Sequence, residues 1–194
     1  MSKDSANTVV GIARSVDTVK AKLDADSISN VHMVAGDMAD DASLKKAALE
    51  VSRITEGVDY LIVNGAYMTL DTARLEPSEF TDLASELRAE MIKSLDVNVL
   101  GVVYSVNAFL PLVRKGDAKK ITVISTGLAD VDLIVRADIP ASLVYSTMKS
   151  ATNMVVAKYA VGMYFCPKSL FYHKLPLHLN RGSDLCAMLY SVQW

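Results

Sequence analysis

Tyr145 and Lys149 stand four residues apart in a stretch of helical character, Ser142 to about Ala160, and that spacing puts both side chains on one helix face. A phenol beside an ammonium group is an acid/base pair. The cation favours phenolate and lowers the tyrosine pKa from about 10, so that Tyr145 can give or take a proton nearer neutral pH. Reduction of a carbonyl by hydride needs such a proton. The spacing recurs at Tyr164 and Lys168, but Pro167 between them opposes a helix there. The chemistry is therefore assigned to the first pair.

The surrounding chain alternates strand and helix. Asn7–Arg14, Asn30–Gly36, Asp59–Asn64 and Lys120–Ser125 are short runs rich in valine and isoleucine, which reads as buried strands. Helical periodicity fills Val16–Leu23 and Ala42–Ile54, and Phe80, Leu83, Leu87, Met91 and Leu95 continue it through one long region. That region is expected to start at Ser78, to run to Val113 and to stop at Gly116. Strands joined by helices require crossover connections, so the pattern predicts a parallel sheet covered on both faces, a doubly wound α/β fold. Residues 1–160 read as one such domain. Residues 161–194 form a divergent tail with aromatics and prolines but no clean period, and no secondary structure is assigned there.

At 194 residues, 51% apolar and 22% charged, the composition is that of one globular domain. The formal net charge of −2 gives no broad positive field, which argues against nucleic-acid binding. No stretch of about 18 uncharged apolar residues suggests a membrane span, and the N-terminus lacks a signal-peptide core. A soluble, cytoplasmic protein is expected. Cys166 and Cys186 are expected to be free thiols, and with His173 and His178 they match no compact zinc motif, so no metal site is expected.

The order of Asn64, Asn98, Ser125, Tyr145 and Lys149 resembles that of the short-chain dehydrogenase/reductase family, and of its carbonyl reductases in particular, over roughly residues 7–160. Asn98-Val-Leu-Gly101 resembles the family's element in which an asparagine helps hold a water that relays protons to the lysine. Ile124–Gly127 resembles the catalytic serine segment; a gap-free match puts Ser125 at the first hydroxyl position and Thr126 at the second, generally catalytic one, so both remain candidates. Val63–Ala66 resembles the stretch that supports the central sheet, with its first asparagine replaced and its last two residues exchanged. Asp37–Asp40 resembles the element whose first carboxylate faces adenine. Arg14, after the first strand, stands where phosphate-preferring members carry a basic residue.

The resemblance implies a Rossmann-like fold, and catalysis by Asn98, Ser125 or Thr126, Tyr145 and Lys149. It implies cofactor contacts from Arg14, Asp37, Asn64, Tyr145 and Lys149, with NADP preferred over NAD because an arginine suits a 2′-phosphate. The substrate would be a small carbonyl or alcohol, and the chain a possible homo-oligomer. Read without the family, Asp37 and Asp40 could cap the next helix, Asn98 could be a satisfied core amide and Arg14 a solvated loop residue.

Three departures stand out. The family's glycine-rich phosphate-binding turn lies between its first strand and first helix, yet only Met1–Ala6 precede the strand that matches the family's second. The run from Ser125 to Tyr145 is longer than usual, and residues 162–194 do not match the family's substrate-covering end. A chain truncated at both ends is the expectation, with an incomplete sheet and a catalytically inactive, partner-binding remnant as the alternative function.

Overall fold

A computed structural model of the chain describes residues 7–162, 173–174 and 189–193. The expectations for Cys166, His178, Cys186 and the Tyr164–Lys168 pair fall outside these residues. The expected strands form as β1 (Val9–Ala13), β2 (Val31–Ala35), β3 (Tyr60–Val63) and β4 (Lys120–Ile124). Helix α1 (Val16–Ala25) joins β1 to β2, and α2 (Asp41–Val51) follows β2. The fold is α/β of Rossmann type, as the alternation predicted.

The sheet is in two pieces. β1 pairs parallel with β2, and β3 pairs parallel with β4. Among the described residues no strand lies between β1 and β3. On the far side of β4 the chain returns as β6 (Leu189–Gln193), antiparallel to β4, with the two-residue β5 (His173–Lys174) beside it. The tail thus contributes two strands that had no legible period.

The long helical region is more segmented than its period suggested. After a one-turn helix α3 (Leu70–Ala73), Pro77–Phe80 closes a 3-10 turn, and α4 begins only at Ala84, six residues beyond the expected start. The cause is local. The Glu79 carboxylate takes the Glu76 backbone N–H at 2.6 Å, and proline opens the turn, so the helical signal at Ser78 belongs to a separate capped element. α4 (Ala84–Leu95) runs through a π-turn at Asp96–Leu100 into α5 (Gly101–Val113). This continuous stretch is long and apolar enough to cross a membrane by length and composition, yet half of its most apolar window is buried inside the protein, as in a core helix.

α5 is the common support of both sheet pieces. Val102, Val106 and Val113 pack with Val63, Ile121 and Val123 of β3 and β4 and with Val156 and Ala160 of the last helix, α7 (Leu143–Gly162). Phe109 and Leu112 pack instead with Val34 of β2 and with Ala47, Ala48 and Val51 of α2. Full burial of each large apolar side chain is worth about 1.5–3 kcal/mol, so α5 holds β1–β2 and β3–β4 together although no ladder joins them. Between β4 and α7 lie a 3-10 turn (Gly127–Ala129) and α6 (Val131–Ala137), which fill the long run before Tyr145. Asp130 caps α6 by accepting from the Leu133 N–H at 3.1 Å, and Asp138 ends it in a left-handed conformation at φ 52°.

Candidate active site

The predicted residues gather at the carboxyl ends of the parallel strands, the edge where open α/β sheets bind ligands. Arg14 follows β1, Asp37 follows β2 after Gly36, Asn64 follows β3 and Ser125 follows β4. Met38 shows that both pieces present this edge on the same side: it lies against Gly65, just beyond β3, and against Gly101, at the start of α5. A Cβ on Gly65 would collide with the Met38 sulfur, and one on Gly101 would lie 2.9 Å from the Met38 carbonyl oxygen. At Gly101 the neighbour is backbone, so glycine is needed there for the loops to meet, whereas at Gly65 it is the flexible Met38 side chain.

Tyr145 and Lys149 share a face of α7, as their spacing predicted. Lys149 is buried, and its ammonium donates to the Ile124 carbonyl oxygen at the end of β4, 2.8 Å away. It stands over the Tyr145 ring, 5.9 Å from the centroid. Burial lowers the Lys149 pKa to about 8. The Tyr145 hydroxyl does not follow the expected direction, because burial pushes its pKa up. The tether to Ile124 explains the difference: the ammonium is held over the ring, and loss of water around the half-buried phenol outweighs its attraction.

Ser125 and Thr126 are both buried, and each hydroxyl has a partner. Ser125 Oγ donates to Asn153 Oδ1 at 2.6 Å, whereas Thr126 Oγ1 accepts the Leu128 N–H at 3.2 Å and so caps the 3-10 turn. Asn153 is eight residues beyond Tyr145, about 12 Å along the helix axis. Among the described residues, no hydrogen bond links Tyr145 to either hydroxyl.

Asn98 lies in the π-turn, a distortion often found at functional sites. Its buried amide clamps the loop after β3: Oδ1 accepts the Tyr67 N–H at 2.7 Å, and Nδ2 donates to the Tyr67 carbonyl at 2.8 Å and to Ser94 Oγ at 2.8 Å. The fully buried Thr152 hydroxyl donates to the Asn98 carbonyl oxygen, 2.7 Å away, or to that of Met148, at 2.8 Å. Sequence reasoning missed Tyr67, Ser94, Thr152 and Asn153. The helical offsets Ser94–Asn98 and Lys149–Asn153 were the only available signal. Glu90 completes the clamp, accepting from the Tyr67 hydroxyl at 3.2 Å and from Thr69 at 2.8 Å.

On the other half of the edge the contacts are local. Asp40 caps α2 by accepting the Ala42 and Ser43 N–H groups at 2.9 and 3.2 Å, and Asp37 accepts the Ala39 N–H at 3.0 Å. Arg14 and Asn64 are exposed.

Residues 1–164 match the short chain dehydrogenase family. The chain belongs to the short-chain dehydrogenase/reductase family. It is 38% identical over 165 residues to the short-chain dehydrogenase/reductase iacC of Pestalotiopsis fici, covering 83% of this chain and 61% of that protein. It is 40% identical over 161 residues to AacuF of Aspergillus aculeatus, covering 82% and 59%. The chain thus spans about three fifths of the length of these curated relatives. Among solved structures it is similar to Sniffer of Caenorhabditis elegans, at 25% identity and a TM-score of 0.66, covering 83% of this chain and 70% of that one. It shares the fold of an NADPH-bound carbonyl reductase from chicken fatty liver at 20% identity and a TM-score of 0.59, covering 81% and 63%.

Short-chain dehydrogenases are oxidoreductases that bind a nicotinamide dinucleotide and act on small molecules. The donor set fits the two ends of such a cofactor. Arg14 stands at the edge of β1–β2 with a guanidinium suited to a phosphate and Asp37 with a carboxylate suited to an adenine, and Lys149 and Tyr145 stand beside β4 with groups suited to a ribose and a reacting carbonyl. Backbone amides of a glycine-rich turn, suited to a pyrophosphate, do not occur among the described residues.

Proposed function

We propose that this short-chain dehydrogenase reduces a small-molecule carbonyl, or oxidises the corresponding alcohol, with NADP preferred over NAD. The observation that carries the reading is the placement of Tyr145 and a buried Lys149 on one face of α7, with the lysine fixed to the end of β4. NADPH, when bound, supplies the hydride. Tyr145 supplies the proton: its raised pKa keeps the hydroxyl protonated at neutral pH, the form needed to deliver a proton to the carbonyl oxygen. Lys149 remains largely cationic at pH 7, below its pKa of about 8, and so stabilises the phenolate left behind. Its tether to Ile124 fixes the charge before the substrate arrives, which avoids reorganisation during the reaction.

Asn98 acts by position. Through Thr152 it joins the π-turn to the helix that carries Lys149, and through Tyr67 it fixes the loop at the carboxyl edge. Ser125 or Thr126 would bind the carbonyl oxygen. The bond from Ser125 to Asn153 must break for that role, so Thr126, which only accepts at present, keeps its proton free to donate. Arg14 would hold the 2′-phosphate, Asp37 would face the adenine ring, and Asn64 would support the cofactor edge after β3. The same reading, by family resemblance, makes the protein a cytoplasmic homo-oligomer, which sedimentation of the purified chain tests.

The test has two steps. NADPH should raise the thermal midpoint more than NADH does, because a ligand bound only by the folded state stabilises it. Tyr145→Phe should keep that shift while abolishing NADPH oxidation across a panel of aromatic and aliphatic ketones. Turnover by Tyr145→Phe equal to that of the parent would defeat the assignment. A second reading, a non-catalytic partner-binding protein, is favoured by the break in the sheet between β1 and β3, and absence of any nucleotide shift would select it.

A further inference from the structure

Within Lys149–Asn153, one turn and a half of α7, four side chains bond to other segments of the chain. Lys149 Nζ donates to the Ile124 carbonyl oxygen at 2.8 Å, Ser150 Oγ donates to that of Ala129 at 3.0 Å, and Thr152 Oγ1 lies 2.7 Å from that of Asn98. In these three the helix donates and a backbone carbonyl accepts. Asn153 reverses the direction: its Oδ1 accepts, and the donor is the Ser125 hydroxyl, 2.6 Å away. Ser125 is only 3% exposed, so a hydroxyl left there without its partner would be costly.

Ile124 and Ser125 are consecutive at the end of β4, while Lys149 and Asn153 are stacked on one face of α7. Two adjacent strand residues therefore grip two helix residues whose Cβ atoms are about 5–6 Å apart. A single bond leaves a helix free to pivot about it. A second bond at that separation removes the pivot and sets the rotation of the face that carries Lys149, and with it Tyr145 one turn earlier. The Ser125–Asn153 bond is that second attachment.

We propose that Asn153 is a positioning residue: it holds Ser125, and through Ser125 the end of β4, against α7, so that Lys149 and Tyr145 keep their places at the carboxyl edge. The catalytic consequence rests on the reductase reading, whereas the tie itself does not. Ser125 also gains a task. A hydroxyl carries one proton, and that of Ser125 is given to Asn153, so Ser125 fixes the helix and the carbonyl oxygen falls to Thr126.

The test reads Lys149 directly. Lysine labelled with 13C at the ε carbon reports the Lys149 titration by NMR without cofactor or substrate, and Lys149→Met identifies its signal. Burial holds that pKa at about 8, below the ordinary 10.5. Asn153→Ala should let β4 and α7 part, admit water to the ammonium and move the titration upward. Asn153 is half-buried and alanine is the best helix former, so this variant keeps the helix. Ser125→Ala should move the titration equally, and the double variant no further than either, because both changes remove one bond. With NADPH and a ketone, kcat should fall about ten- to a hundredfold in all three, with the ketone KM little changed.

An unmoved titration in either single variant would overturn the proposal, as would shifts that add in the double variant. So would a kcat loss far larger for Ser125→Ala than for Asn153→Ala, which would return Ser125 to the carbonyl. Coupled shifts in a parent chain without turnover would uphold the tie and overturn the reductase reading instead.

Discussion

The β4–α7 half of the carboxyl edge and the β1–β2 half are built to different standards, although one helix supports both. On the β4 side every candidate group but the Tyr145 and Thr126 hydroxyls has a partner from a distant part of the chain. Lys149 meets Ile124, Ser125 meets Asn153, and Asn98 meets both Tyr67 and Thr152. On the β1 side, Asp37 and Asp40 bond only to residues within a few positions, and among the described residues no strand pairs with the outer edge of β1. Long-range bonds fix geometry in advance, whereas local caps serve the helix that carries them. The β4–α7 half is thus preorganised by contacts within this chain, whereas the β1–β2 half rests on α5 and on local bonds.

If α5 alone joins the two halves, weakening its contact to one of them should be the most costly change. Phe109 is buried in the cluster that holds β2 and α2 to α5. Phe109→Ala should destabilise the fold by about 3–5 kcal/mol, read from chemical denaturation. Loss of exchange protection should be largest in β1, β2 and α2, with β4 and α7 less affected. Uniform loss over both halves would show that they unfold as one unit.

Lys149 sharpens the comparison from the other side, because the preorganised half contains a cation with only a carbonyl as partner. Its folded pKa, about 8, lies below the ordinary lysine value of 10.5. Between these two values the unfolded chain binds more protons than the folded one, so stability must rise with pH across that window. Below pH 8 both states are protonated and the full burial penalty applies, at most about 3 kcal/mol for such a shift. The wild-type melting midpoint should therefore climb from pH 8 to pH 9.5, before tyrosines ionise. In Lys149→Met the climb should vanish and turnover with it, and a variant that keeps the climb would assign it to another group.

The same contrast explains what the sequence made legible. Strands β1 to β4 and helix α7 were visible because their apolar runs and helical period are written in consecutive residues. Tyr145 and Lys149 were visible for the same reason, as neighbours on one helix face. The π-turn was not, since a helix that gains one residue keeps its apolar pattern on either side, and Asn98 bonds across 31 positions to the backbone of Tyr67. The start of α4 was misplaced because a proline-led 3-10 turn carries the same capping residues as a longer helix. The strand β6 is paired to β4 from the far end of the chain, a contact no local period records. Which of Ser125 and Thr126 would bind a carbonyl could not be settled by order alone, because both hydroxyls are buried against different partners.

Thr152 offers the finest division between the halves. Its hydroxyl sits within hydrogen-bond reach of the Asn98 and Met148 carbonyl oxygens, fully buried. Thr152→Val keeps the shape and removes the donor, which should cost about 1–2 kcal/mol, since the Asn98 carbonyl is left without this partner. Thr152→Ser keeps the donor and should recover most of that bond, apart from the lost methyl contact. If the hydroxyl only stabilises the core, the valine variant will melt earlier with an unchanged pH profile for proton transfer. If it positions the helix that carries Lys149, the same variant will also shift the Lys149 titration expected at about 8, and the serine variant will restore it. That second outcome would make the bond between the π-turn and α7 part of the catalytic half, while the first would confine Asn98 to holding the Tyr67 loop.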